Sequence, residues 1–110
     1  MLLKSFYAFF YFSIVPTAPQ DVMYRNLTST SIELTWNPPM TFNGPNEGYR
    51  VTYRLISASI AANTIVVDDT STNITNLEIY TEYSVEVVAL SDKGPSEVVS
   101  IIVITDEDCK

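Results

Sequence analysis

Hydrophobic residues recur at every second position over most of the chain. Val22 and Tyr24 alternate after Pro19, and Ile32, Leu34 and Trp36 alternate with Glu33 and Thr35 in "SIELTW". Tyr49, Val51 and Tyr53 alternate with Arg50, Thr52 and Arg54. In "EYSVEVVAL", Tyr83, Val85, Val87 and Ala89 share one parity, while Ser84 and Glu86 take the other. A period of two sends successive side chains to opposite faces of a strand, so each run predicts a strand with one face turned to a core. Weaker strands are predicted at "TIVVDD" and around Ile74 and Leu77, and a last one in "EVVSIIVIT". Stretches dense in Pro, Gly, Asn and Asp, "NPPMTFNGPNEG" and "SDKGPS", read as the loops between them. Roughly seven short strands without a convincing amphipathic helix predict an all-β sandwich of two antiparallel sheets, with "RLISASIAAN" as an irregular connection.

Composition narrows the function. A chain of 110 residues, 46% apolar and 17% charged, suits one globular domain with a single core. Its net charge of −7 leaves no basic patch for nucleic acid, and the six Lys and Arg are too scattered to seek an anionic membrane. The chain has no histidine, which removes the commonest general base and most transition-metal sites. There is no nucleophile–base pair and no phosphate loop, so neither an enzyme nor a small-molecule substrate is expected. The acidic clusters Asp68–Asp69 and Asp106–Glu107–Asp108 read as solvated surface, and no metal or other cofactor is expected. Cys109 is the only cysteine and cannot form an internal disulfide, so packing alone must hold the fold.

The chain divides into three parts. In residues 1–15 a single Lys, Lys4, precedes an apolar run from Phe6 to Val15. That run is too short to span a bilayer and has the length of a signal-peptide core; the rival reading is a mis-started segment. Residues 16–105 hold the strand pattern, and residues 106–110 form an acidic linker or tail.

Taken in order, "PTAPQDV", "TSTSIELTWNPP", "GYRVTYR", "LEIYTEYSVEVVA" and "GPSEVVSIIVIT" resemble a fibronectin type III domain over Pro16–Thr105. The resemblance implies a seven-stranded, immunoglobulin-like sandwich. It also implies a tyrosine corner, with Leu77 six residues before Tyr83 and the Tyr83 hydroxyl bonded to backbone upstream. The family often has Pro and Gly in that turn, where this chain has Ile79 and Tyr80. Trp36, Tyr49, Val51, Tyr53, Leu77, Tyr83, Val85 and Val87 are accordingly assigned to the core. The chain is similar to one repeat of a cell-adhesion molecule or of a receptor-type tyrosine phosphatase ectodomain. What this implies is a non-catalytic extracellular module for protein binding or spacing, whose partners are a cell-surface protein or neighbouring type III repeats. The alternatives are an intracellular mechanical spacer and an accessory domain of a secreted enzyme.

Three sets of surface residues remain as candidate sites. Asn26 in "NLT", read at a turn, and Asn73 in "NIT", read as facing solvent, are acceptor sequences for N-linked glycan. Val88, Leu90, Val98, Ile102 and Ile104 point away from the core by alternation and are expected to form an apolar partner face. Met40 and Phe42 in one loop, with Asp92 and Lys93 in another, are expected to share one end of the sandwich as loop contacts. The Arg-Gly-Asp triplet of integrin-binding modules is absent from "SDKGPS", so that activity is not carried over.

Overall fold

The computed structural model describes residues 15–58 and 61–107. The readings placed on the leader before Val15, on Asp108 and on Cys109 lie outside the described residues. Among the described residues eight strands run in chain order: β1 Gln20–Thr28, β2 Ser31–Asn37, β3 Tyr49–Leu55, β4 Asn63–Val67, β5 Ser71–Ile74, β6 Glu82–Ser91, β7 Gly94–Pro95 and β8 Val99–Ile104. All pairings are antiparallel. One sheet has the order β1-β2-β5; the other has the order β4-β3-β6, with β7 and β8 both paired to β6. Since β7 lies against Leu90 and Ser91 and β8 against Glu82–Val87, the two are pieces of one edge strand. The break falls at Ser96, whose hydroxyl accepts the Ala89 N–H at 2.9 Å and donates to the Glu97 carbonyl at 2.9 Å. The seven strands expected therefore become eight through this interruption.

Alternation dictates the core. Ile32, Leu34 and Trp36 of β2, with Ile74 and Leu77, face Tyr49 and Val51 of β3, Tyr83, Val85, Val87 and Ala89 of β6, and Val103 of β8. Register keeps these positions level across the sheet: Val51 is opposite Val87, Leu55 opposite Tyr83, and Tyr83 opposite Val103. Each fully buried aliphatic side chain stabilises the fold by about 1.5–3 kcal/mol. Tyr53 shares the inward parity but lies at the core's rim, half-buried, because β3 approaches its end there.

The two ends of the sandwich are closed differently. At one end Trp36 and Tyr49 meet edge to face with ring centroids 5.2 Å apart, and Phe42 packs on Tyr49 at 6.1 Å. At the other end the Glu78 N–H donates to the Tyr83 hydroxyl at 2.8 Å, which is the expected corner. The turn before β6 has Tyr80 at φ 48°, a left-handed conformation in which L-residues are strained. The chain enters at the first end, where the Asn43 side-chain amide donates to the Val15 carbonyl at 2.7 Å. It leaves at the second, where the Tyr80 N–H donates to the Asp106 carbonyl at 2.8 Å.

Candidate interaction surfaces

The outer face of the larger sheet is built by the even-numbered positions of β6 and β8. Val98, Ile102 and Ile104 are exposed at 54%, 52% and 42%. Val88 is not: it is buried at 4% although it points outward. Its place in a central strand explains this, since β6 is flanked on both sides and the half-buried Arg50 stands directly opposite Val88 on β3. Leu90 is half-buried opposite Pro95. A polar row made of Thr52, Glu86 and Ser100 crosses the sheet between the Val88 end and Ile102. The five residues therefore do not form one continuous patch. What is exposed is a short stripe of Ile102 and Ile104 on edge strand β8, with Val98 set apart by Ser100 just before the strand, and the backbone edge is partly capped where the Ile104 N–H donates to the Tyr24 hydroxyl at 3.2 Å.

The loop residues do share one end. The β2–β3 connection lies against the β6–β7 turn: Glu47 N–H donates to the Leu90 carbonyl at 2.9 Å, and a Cβ on Gly44 would come within 3.0 Å of the Asp92 carboxylate. Gly48 ends this loop at φ 94°, and a Cβ there would meet the Val67 carbonyl at 2.6 Å, so only glycine fits. Met40 is 84% exposed, and Asp92 and Lys93 are exposed at the tip of the turn. Phe42 departs from its expected role as a loop contact. Its ring packs on Tyr49 and partly buries itself there, because a phenyl group beside an apolar rim gains more by covering it than by facing water.

The two acceptor sequences sit on different surfaces. Asn73 lies on β5, exposed, opposite Glu33 on the outer face of the smaller sheet. Arg25 and Glu33 form an ion pair at 2.6 Å on the same face. Asn26 is not at a turn: it lies within β1, opposite Ile32, just before a register shift. It shares the half-buried parity of Val22 and Tyr24, and its Oδ1 is buried without a hydrogen-bond partner.

A polar site at the exit end has no counterpart in the sequence reading. Thr105 is 1% exposed; its hydroxyl accepts the Thr81 N–H at 2.9 Å and donates to the Glu78 carbonyl at 2.6 Å. The signal was available, since Val99, Ile101, Val103 and Thr105 share one parity, and an inward threonine needs partners. At the opposite end, burial pushes the Tyr49 phenol above its ordinary value of 10.0, with the Trp36 indole pulling part of the way back.

A cleft of about 420 Å³ opens at the exit end, with Tyr53, Leu55, Asn63, Asn76, Leu77 and Glu78 among its lining. The charged groups of that lining are Arg54 and Glu78. Among the described residues, no group of three His, Cys, Asp or Glu could hold a metal ion, and no helix is long and apolar enough to cross a membrane.

Comparison with known proteins agrees with this architecture. The family model for the fibronectin type III domain matches residues 17–102. Tyrosine-protein phosphatase Lar of Drosophila melanogaster is 35% identical over 98 residues, covering 82% of this chain and 5% of the relative. The human netrin receptor DCC is 32% identical over 95 residues, covering 84% of this chain and 6% of the relative. The chain thus spans only a small fraction of the length of these relatives. Among solved structures, the FN5 domain of Drosophila Lar superposes with a TM-score of 0.69 at 34% identity, covering 84% of this chain and 98% of that one. A two-domain type III segment of chicken tenascin gives 0.74 at 27% identity, covering 83% of this chain and 51% of that one. The chain belongs to the fibronectin type III family.

Proposed function

We propose that this domain is a non-catalytic extracellular repeat of an adhesion or receptor protein, acting as a spacer and as a surface for protein contact. The observation that carries this reading is where the backbone enters and leaves the sandwich. Val15 is seated beside Asn43 at one end of the sandwich and Asp106 beside Tyr80 at the other, so repeats joined through them follow one another in line. The netrin receptor DCC, of which this domain's match covers only 6%, supports the receptor reading. Domain limits of 16–105, an N-terminal secretion signal in residues 1–15 and an acidic linker from Asp106 onward complete the proposal. Its partners are neighbouring type III repeats or a cell-surface protein. The surfaces assigned to them are the β8 stripe of Ile102 and Ile104 with Val98 just before the strand, and the loop tips at Met40, Asp92 and Lys93.

The test is intact mass and N-terminal sequence of the product made in a secretory eukaryotic cell. Secretion of a chain that has lost its apolar leader supports the reading. A chain retained inside the cell and starting at Met1 overturns the extracellular assignment and leaves an intracellular spacer.

A further inference from the structure

The two Asn-x-Thr sequences are equal as sequence and unequal as structure. We propose that Asn73 is an N-glycan acceptor and that Asn26 is not; this rests on the extracellular reading given above.

Asn73 sits on the solvent side of β5, while its neighbours Thr72 and Ile74 turn inward. Among the described residues β5 pairs only with β2, so the strand has a free edge, and the immediate neighbours of Asn73 are polar: Glu33 stands opposite with Arg25 beyond it, and Ser71 and Thr35 form the next row, which ends at the exposed Met23 on β1. Nothing apolar is uncovered or displaced when the Asn73 side-chain amide carries a bulky hydrophilic group. Thr75, the third residue of the acceptor sequence, is also exposed. The transfer consumes an oligosaccharide carried on a lipid diphosphate. A bond forms between Asn73 Nδ2 and the anomeric carbon, the carbon–oxygen bond to the diphosphate breaks, and Nδ2 gives up one proton to the transferring enzyme as the lipid diphosphate leaves. No oxidation or reduction takes place.

Asn26 offers the opposite environment. It occupies the inward parity of β1, its Oδ1 is buried, and its Nδ2 lies 3.4 Å from Asp106 Oδ1. A sugar on that nitrogen would have to fit against Asp106, whose carbonyl accepts the Tyr80 N–H at 2.8 Å. A glycan at Asn26 therefore conflicts with closure of the exit end, whereas one at Asn73 leaves every contact of the sandwich intact. It also covers the smaller sheet and leaves the β8 stripe on the opposite sheet bare for protein.

The experiment places the full chain behind a heterologous cleavable leader, so that entry into the secretory lumen is imposed and does not depend on residues 1–15. Intact mass is read before and after enzymatic release of N-glycan, for the wild type and for Asn26→Gln, Asn73→Gln and Thr75→Ala. The expected result is one glycan on the wild type and on Asn26→Gln, and none on Asn73→Gln or Thr75→Ala. The last variant keeps Asn73 itself, which separates loss of the acceptor sequence from loss of the side chain. Secreted wild type without glycan overturns the proposal, as does glycan remaining on secreted Asn73→Gln or Thr75→Ala. Glycan at Asn73 under the imposed leader, with retention of the chain under its own residues 1–15, would sink the extracellular reading and leave the acceptor assignment standing.

Discussion

Where the chain enters the sandwich, Trp36 meets Tyr49 edge to face at 5.2 Å and Phe42 covers Tyr49 at 6.1 Å, while the Trp36 indole nitrogen is buried without a hydrogen-bond acceptor. Where it leaves, Tyr83 accepts the Glu78 N–H, Thr105 bridges Thr81 and Glu78, and Asp106 accepts the Tyr80 N–H. The core at the entrance is closed by volume and dispersion, which have no preferred direction, and the hydrogen bonds there tie the loops above it, Asn43 to Val15 and Glu47 to Leu90. The exit is closed by hydrogen bonds at the core itself. A directional closure fixes the line along which the chain departs, whereas a packed closure depends on the volume that fills it.

The largest effect expected comes from removing volume at the entrance. Trp36→Ala empties the space between the sheets beneath Phe42 and is expected to lower stability by about 3–5 kcal/mol, read as the shift of the denaturant midpoint followed by circular dichroism. A loss below about 1 kcal/mol would mean that the loops collapse into the cavity and that the entrance is not closed by packing.

The paired hydroxyl deletions sharpen the contrast. Tyr83→Phe leaves the Glu78 N–H without its acceptor and is expected to cost about 1–3 kcal/mol. Tyr49→Phe keeps the edge-to-face contacts and removes a hydroxyl whose attraction to the Trp36 indole is too loose in geometry to make a hydrogen bond, so its expected cost is under about 1 kcal/mol. Equal losses in the two variants would erase the distinction between the ends.

The same contrast explains what could be read from the sequence. Strands and core were legible because inward positions obey a period of two wherever two sheets face each other, as in Ile32-Leu34-Trp36 and Tyr83-Val85-Val87. Alternation gives the direction of a side chain and says nothing of what stands beside it. Val88 points outward as expected, yet its position in a central strand opposite Arg50 buries it. Phe42 lies in a stretch rich in Pro, Gly and Asn that reads as loop, and its ring still finds the rim of the core. Asn26 looks like a turn residue from its neighbours, but β1 continues through it, paired with Ile32, and its register shifts only afterwards. The bonds of Thr105 join residues 24 and 27 positions apart, a distance over which no local pattern reports.

The smallest effect concerns the turn that the exit network holds in place. Tyr80 adopts φ 48° with its side chain 71% exposed, so its ring contributes little burial while its Cβ strains the backbone. The conformation persists because its neighbours fix it: the Tyr80 N–H is tied to Asp106, and the Thr81 N–H to Thr105. Glycine takes the left-handed region without that strain, at the cost of a more flexible unfolded chain. Tyr80→Gly is therefore expected to raise stability by about 0.5–1 kcal/mol, seen as a small increase in the denaturant midpoint at unchanged slope. The gain should shrink in a Thr105→Val background, because a turn no longer pinned by Thr105 relaxes its own strain. A gain of the same size in both backgrounds would mean that the turn holds its shape unaided, and that the hydrogen bonds at the exit follow this shape instead of imposing it.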